Sequence, residues 1–343
     1  MSGKELGFGI IGCGMIANFH ATAIREIAGA RMIGATDVVK ESRSAFAEKY
    51  AIRAFDTAEE LLASPEVDVV CICTPTGYHA ALAIKAAKAG KHIVAEKPMA
   101  LNLKEADEVI KAVESSKVKM EVISQLRFAK AVRRLKKAVD DGILGKLVTG
   151  DIYMKFYRSQ EYYDKGGWRG TWKMDGGGAV MNQGIHGIDL LQYVMGPVKS
   201  IFAHTRTLVR NIEVEDTASA LLEYKNGALG VIQGTTSVYP GLPRRMEISG
   251  EKGTIILEED TFVSWKVQGE EVPADVTIGK TESGASSDPG AISNKGHILQ
   301  LGDLVEAVRE NREPMVGPLE GRKPIEIIMA IYDSAKKGKL VRL

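Results

Sequence analysis

The first 125 residues of the chain repeat one alternation, and it limits the fold more than any other feature. Short apolar runs, of the kind buried on both faces of a parallel sheet, alternate with segments of helical spacing. LGFGIIG precedes MIANFHATAIREIAG, RMIGATD precedes SRSAFAEKY, and VDVVCICTP precedes HAALAIKAAKAG. KHIVAEKP then precedes LKEADEVIKAVESS, and KMEVIS ends the series. Strands that alternate with such helices form βαβ units and a parallel sheet. The texture changes near residue 125. After a helical stretch at 126–140, the segments LVTGDIYMKFY, KSIFAHTRTLV, TASALLEY, LGVIQGTTSV, RRMEISG, GTIILEE and TFVSWKV read as strands. Turn signals such as Lys225-Asn226-Gly227 and Glu251-Lys252-Gly253 join several of them, which indicates a mostly antiparallel sheet. One helix interrupts it near 179–195, and two close the chain at about 297–310 and 321–336. The expected fold is α/β: a parallel-sheet domain over 1–125, then an α+β domain with a large, mostly antiparallel open sheet over 126–343. The Ser/Gly-rich stretch 281–296 reads as a mobile loop or lid.

Gly12-Cys13-Gly14-Met15-Ile16-Ala17 fits G-x-G-x-x-A between the first strand and the first helix. The pattern alone is weak, but that context is the one a Rossmann dinucleotide-binding turn requires. Gly12 allows the tight turn, Gly14 lets a pyrophosphate approach the backbone, and Ala17 keeps helix and strand close. The helix start at Met15 and Ile16 presents N–H groups to the anion. A glycine turn without a ligand is the other reading. Asp37 closes the second strand, where a carboxylate accepts from both ribose hydroxyls and repels a 2′-phosphate. It equally suits a helix cap. NAD is therefore the expected cofactor, with NADP left open by the nearby Arg43.

Further candidates lie at the carboxyl edge of the sheet, where open α/β folds bind ligands. Thr74 and Pro75 follow the VDVVCIC strand, with His79 just beyond, and Glu96-Lys97-Pro98 follows the next. Thr74, Pro75, His79, Glu96 and Lys97 are expected to contact the cofactor. Lys97 could polarise a substrate hydroxyl, or be a solvated surface lysine. In GGGAVMNQGIHGID, residues Asn182, His186 and Asp189 are spaced to share one helix face. His186 suits proton transfer near neutrality, and Asp189 could orient its ring. A packed histidine satisfied by backbone fits the spacing as well. No metal is expected, because asparagine is a poor third ligand and the six histidines are scattered.

Bulk properties exclude other classes. Forty-five basic side chains against 44 acidic ones leave a net charge of +1, so nothing argues for nucleic acid or a membrane surface. No run approaches the roughly 18 apolar residues of a membrane span. The N-terminus lacks a signal-peptide pattern, and Cys13, Cys71 and Cys73 form no C-x-x-C pair. A reducing cytoplasm is expected.

Taken together, GIIGCGMIA, TPTGYHAALAIKAAKAGKHIVAEKPMAL, GGGAVMNQGIHGIDLLQYVMG and EGRKPIEIIMAIYDSA resemble the Gfo/Idh/MocA family of glucose–fructose oxidoreductase and myo-inositol dehydrogenase. The resemblance covers the whole length. It implies that Lys97 is the catalytic lysine and His186 the catalytic histidine. It also implies that the second domain's sheet covers the nicotinamide on one side and forms a dimer or tetramer interface on the other. Inositol dehydrogenase-like members carry Asp four residues before the histidine, where this chain has Asn182. A carboxamide can orient a hydroxyl but cannot relay a proton. The N-Q-G-I-H form, with IEVEDTA and GTTSVYPGLPRR, looks more like the UDP-N-acetylglucosaminuronate 3-dehydrogenase branch.

The expected activity is NAD(P)-dependent oxidation of a secondary hydroxyl of a sugar, sugar nucleotide or cyclitol, or the reverse reduction. The alternatives are an inositol or polyol dehydrogenase, or a dinucleotide-binding sensor. The sensor reading requires loss of Lys97 or His186, and both are present. Arg127, Trp168 and Arg169 are the first choices for substrate contacts beside Asn182 and His186. Gln125, Phe128, Tyr157, Arg158, Trp172, Tyr239, Arg244 and Arg245 are weaker ones.

Overall fold

A computed structural model of the protein describes residues 5–280 and 293–343, which form two compact units. Most of the proposed lid at 281–296 lies outside the described residues.

The first unit is built on β1 (Leu6–Ile11), α1 (Met15–Glu26), β2 (Ala30–Thr36), α2 (Lys40–Tyr50), β3 (Arg53–Ala54) and α3 (Ala58–Ala63). It continues with β4 (Val69–Ile72), α4 (His79–Lys88), β5 (His92–Ala95), α5 (Leu103–Ser116) and β6 (Met120–Val122). The strands lie in the order β3-β2-β1-β4-β5-β6, all parallel. The order reverses between β1 and β4, which is the switch point where ligands bind in such sheets. Every residue of β4 is buried, as the continuous apolar run requires. Thr57 and Asn102 accept a backbone N–H at the starts of α3 and α5. The short exposed β3 and the six-residue α3 have no counterpart in the sequence reading.

The second unit contains α6 (Lys130–Asp140), β7 (Leu147–Lys155), α7 (Gln160–Asp164), α8 (Ile185–Met195), β8 (Val198–Arg206) and β9 (Thr217–Tyr224). It goes on through β10 (Leu229–Thr235), β11 (Arg245–Gly250), β12 (Gly253–Glu258) and β13 (Thr261–Val267). Among the described residues the sheet has eight strands in the order β13-β12-β11-β7-β10-β9-β8-β14, with β14 at Val341–Arg342. Its pairs are antiparallel except β7–β10. One face is closed by α8. Gly150 has no room for a side chain, because a Cβ there would lie 2.5 Å from Met195. The opposite face alternates to polar and exposed positions, with Phe202, Leu221 and Val231 in register across β8, β9 and β10.

The chain then returns. Helix α9 (Lys295–Glu310) belongs to the first unit, and α10 (Pro318–Lys337) runs from the first unit into the second. This corrects the contiguous domain expected over 126–343. Leu301, Leu304 and Val305 share one buried cluster with Phe8, Ala17, Ala21 and Ile24, so α9 completes the nucleotide-binding unit's core. Among the described residues no helix is long and apolar enough to cross a membrane.

Candidate active site

The first unit supplies a nucleotide site. Gly12 sits at φ +94°, and a Cβ there would lie 2.8 Å from the Cys73 carbonyl oxygen, so the turn requires glycine. Gly14 differs. Its backbone is extended, and a Cβ would meet nothing within 4 Å. The protein does not need glycine at Gly14, whereas a closely approaching pyrophosphate would. Gly14 also offers α1 no side-chain cap, and the first turn carries no acid, so the helix start remains suited to an anion. The Asp37 carboxylate accepts from the N–H of Cys13 at 2.7 Å and of Val39 at 2.8 Å. It is thereby fixed at the end of β2 beside the glycine turn. Arg43 binds Asp56, at 2.7 Å from its carboxylate and 2.9 Å from its carbonyl, and also reaches the Asp37 carbonyl at 3.3 Å. These residues fit NAD, with a carboxylate at the end of β2 and the neighbouring arginine engaged with Asp56. Burial, reinforced by Asp37, pushes the Cys13 thiol up to about 12, so it stays protonated.

Thr74 and Pro75 lie half-buried after β4, at the switch point. His79 and Glu96 do not face outward with them, which corrects two expected cofactor contacts. The His79 ring is buried, with Nδ1 at 2.7 Å from the Pro98 carbonyl and Nε2 at 2.7 Å from the Thr74 carbonyl. It ties two loops together. Glu96 turns into the core, 2.8 Å from Nε2 of His20 on α1. Lys97 follows it, half-buried, at a cis peptide bond to Pro98.

The second unit holds the histidine segment. Ala179–Gln183 forms one π-helical turn, and α8 begins afresh at Ile185. The regular helix assumed for Asn182, His186 and Asp189 is therefore broken between the first and the second. Two glycines before the turn serve the fold rather than a ligand. A Cβ on Gly177 would overlap the Tyr332 hydroxyl at 1.9 Å, and one on Gly178 the Glu215 carbonyl at 2.1 Å. Glu215, which the sequence reading did not single out, receives N–H bonds from Gly178 and Val180 and the Tyr332 hydroxyl proton. Burial pushes its carboxyl up to about 7, although these donors pull the other way.

Asn182 donates to Asp175 at 2.5 Å and accepts from Gln183 at 3.1 Å. Gln183 in turn accepts from Nε of Arg158 and donates to the Tyr162 hydroxyl. Asp175 also receives the Gly170 N–H, which joins this network to the Trp168-Arg169 loop. Arg169 stacks on Tyr162 and Trp168. His186 stands in the first turn of α8, half-buried.

Arg127 is not a substrate contact. It is 1% exposed and makes a two-point ion pair with Asp189, at 2.8 and 2.6 Å, while stacking on Tyr193. Asp189 is occupied in turn and does not orient His186. Arg244 pairs with Glu259, and Arg245 with Glu247 and Glu258.

The two units define a dinucleotide-dependent oxidoreductase: a Rossmann unit with a glycine phosphate turn and a carboxylate closing β2, and a sheet unit bearing a carboxylate–amide–arginine network. Residues 6–124 match the oxidoreductase family with an NAD-binding Rossmann fold, and residues 132–256 match the GFO/IDH/MocA C-terminal domain. The chain belongs to the Gfo/Idh/MocA family of NAD-binding oxidoreductases. It is 32% identical to a myo-inositol 2-dehydrogenase of Thermotoga maritima, over 76% of this chain and 79% of that one. Among solved structures it resembles the WlbA dehydrogenase of Bordetella pertussis, in complex with NADH and UDP-GlcNAcA. The TM-score is 0.90 at 34% identity, covering 99% of each chain. The WlbA dehydrogenase of Chromobacterium violaceum, with the same ligands, gives 0.90 at 33%, covering 100% of this chain and 97% of that one.

Proposed function

We propose that this protein oxidises a secondary ring hydroxyl of an acidic sugar nucleotide, with NAD as hydride acceptor. The observation that carries the reading is the likeness to the two WlbA dehydrogenases over essentially the whole of each chain. Arg158 and Arg169, beside Tyr162 and Trp168, are the chemistry a carboxylate or diphosphate on a sugar would recruit. NAD, when bound, supplies the hydride chemistry. Of the chain's own groups, Lys97 polarises the substrate oxygen and His186 holds the hydroxyl proton. Asn182 orients a neighbouring hydroxyl with the amide that Asp175 and Gln183 fix.

A cyclitol substrate is the second reading, favoured by the Thermotoga relative's activity. The test mixes purified protein and NAD with UDP-N-acetylglucosaminuronate or with myo-inositol and follows reduced nicotinamide by absorbance. Turnover of the sugar nucleotide, abolished in His186→Ala, is the expected result. Turnover of inositol alone would replace this reading with the second. Unchanged turnover in both His186→Ala and Lys97→Met would remove the assigned roles.

We also propose a homodimer or homotetramer built on the open face of the eight-stranded sheet. There Leu221, 61% exposed, stands between Phe202 and Val231. Light scattering on wild type and Leu221→Lys tests this, with dissociation expected in the variant. The three unpaired cysteines suit a reducing cytoplasm.

A further inference from the structure

The six histidines look scattered in sequence, yet two of them meet a carboxylate in the core of the first unit. His20 comes from α1, His297 from α9, and Glu96 from the end of β5. All three are buried. Oε1 of Glu96 lies 2.8 Å from Nε2 of His20 and 3.8 Å from Nε2 of His297. Oε2 accepts the N–H of Lys97 at 3.3 Å. The two imidazoles stand edge to face, 5.5 Å apart. The 2.8 Å contact is that of a hydrogen bond, with the proton lying where a metal ion would need to sit.

A carboxylate buried this deeply must be paired or protonated. The two imidazoles, which oppose the burial, hold Glu96 well below the usual carboxylate range, so the charge persists. Burial pulls His20 down, with Glu96 opposing it. The titratable groups facing Glu96 among the described residues are His20, His297, His79, Cys71 and Cys73, and Lys97 follows it in the chain. Burial pushes both thiols up, so they stay neutral. His79 feels Glu96 and Lys97 with opposite sign, which places both charges near that ring. The Lys97 segment is thus clamped on both sides. Glu96 holds its backbone N–H, and His79 holds the next residue's carbonyl.

We propose that Glu96, oriented by its hydrogen bond to His20, is the positioning residue for Lys97: its carboxylate holds the Lys97 backbone N–H, fixes the point from which that side chain leaves, and sets a buried negative charge one residue away from it. The role rests on the reading of Lys97 given above. A carboxyl-to-carboxamide change removes the charge and keeps the shape.

The test measures how fast a water-soluble amine-reactive ester modifies Lys97 across pH, by peptide mass spectrometry, and needs no substrate. In Glu96→Gln the midpoint is expected to fall by about one pH unit or more, a tenfold change in the neutral fraction at a given pH. His20→Leu, which leaves the carboxylate without its donor, is expected to move it the same way. His20→Gln, whose amide can still donate, is expected to keep the wild-type midpoint. NAD affinity is read alongside to confirm a folded site. A midpoint unchanged in both Glu96→Gln and His20→Leu would overturn the proposal, as would stoichiometric zinc in the purified protein that is lost in His297→Gln. Lys97→Met with normal turnover would remove the catalytic reading of Lys97 while leaving the midpoint result to judge Glu96 by itself.

Discussion

Removing Asp189 tests how the second unit is held together. Its carboxylate faces the Arg127 guanidinium at 2.8 and 2.6 Å, with both residues nearly sealed from water. In Asp189→Ala the guanidinium stays buried with its counter-charge gone. Breaking such a pair from one side costs about 3–5 kcal/mol, chiefly because an uncompensated charge remains. That is a factor of roughly 10² to 10⁴ in the folding equilibrium. The assay is urea unfolding followed by tryptophan fluorescence. The three tryptophans, Trp168, Trp172 and Trp265, all belong to the second unit, so the signal reports it alone. With a denaturant slope near 3 kcal/mol per molar, the midpoint should fall by about 1–2 M. Replacing both partners, in Arg127→Met with Asp189→Leu, should recover most of the loss, since a buried ion pair is often no better than well-packed apolar groups. A loss under about 1 kcal/mol in Asp189→Ala would refute the reasoning. So would a double variant as unstable as the single one.

Gly14→Ala should leave the thermal midpoint of the protein unchanged, because the added Cβ meets nothing within 4 Å, yet weaken NAD binding at least about tenfold by calorimetry. Gly12→Ala should behave oppositely in origin: a positive φ and a 2.8 Å clash should lower stability by about 1–3 kcal/mol, read by the same unfolding scan. Asp37→Ser should reduce NAD affinity by about 10- to 100-fold, the worth of a hydrogen bond to a charged group, and erase discrimination against NADP in paired titrations. Glu215, raised from 4.5 to about 7, stays protonated in the folded protein while the unfolded chain ionises. Its contribution is therefore full below pH 4.5 and is lost as pH rises toward 7. Wild type should lose up to about 3 kcal/mol relative to Glu215→Gln across that window, measured as urea stability against pH.

What the sequence made legible was local. The glycine turn, the strand before it and the helix after it are contiguous, so the nucleotide site could be read directly. Strand β9 matches the segment read as TASALLEY because a two-residue period marks a half-buried strand, and β13 matches TFVSWKV although a register shift interrupts its alternation. Partnerships over long separations were not legible. Arg127 looks like any basic residue until Asp189, 62 positions on, arrives beside it. His20 and His297 carry no shared pattern, and only the packing of α9 on α1 brings them to Glu96. His79 has a motif neighbour, but nothing in the motif says that its two nitrogens face backbone carbonyls. The π turn hid for another reason: its anchor, Glu215, comes from a different segment, so periodicity alone read a regular helix through it.

The return of α9 to the first unit also orders events during synthesis. The nucleotide-binding half begins the chain, but its core closes only after residue 310 has been made. At roughly 5–20 residues per second, about 10–40 s separate the end of β6 from the arrival of α9. Through that interval the apolar flank of α1 waits uncovered, while strands β7 to β13 of the second unit emerge. The second unit closes later still, because the end of α10 and strand β14, its last elements, are made only after α9.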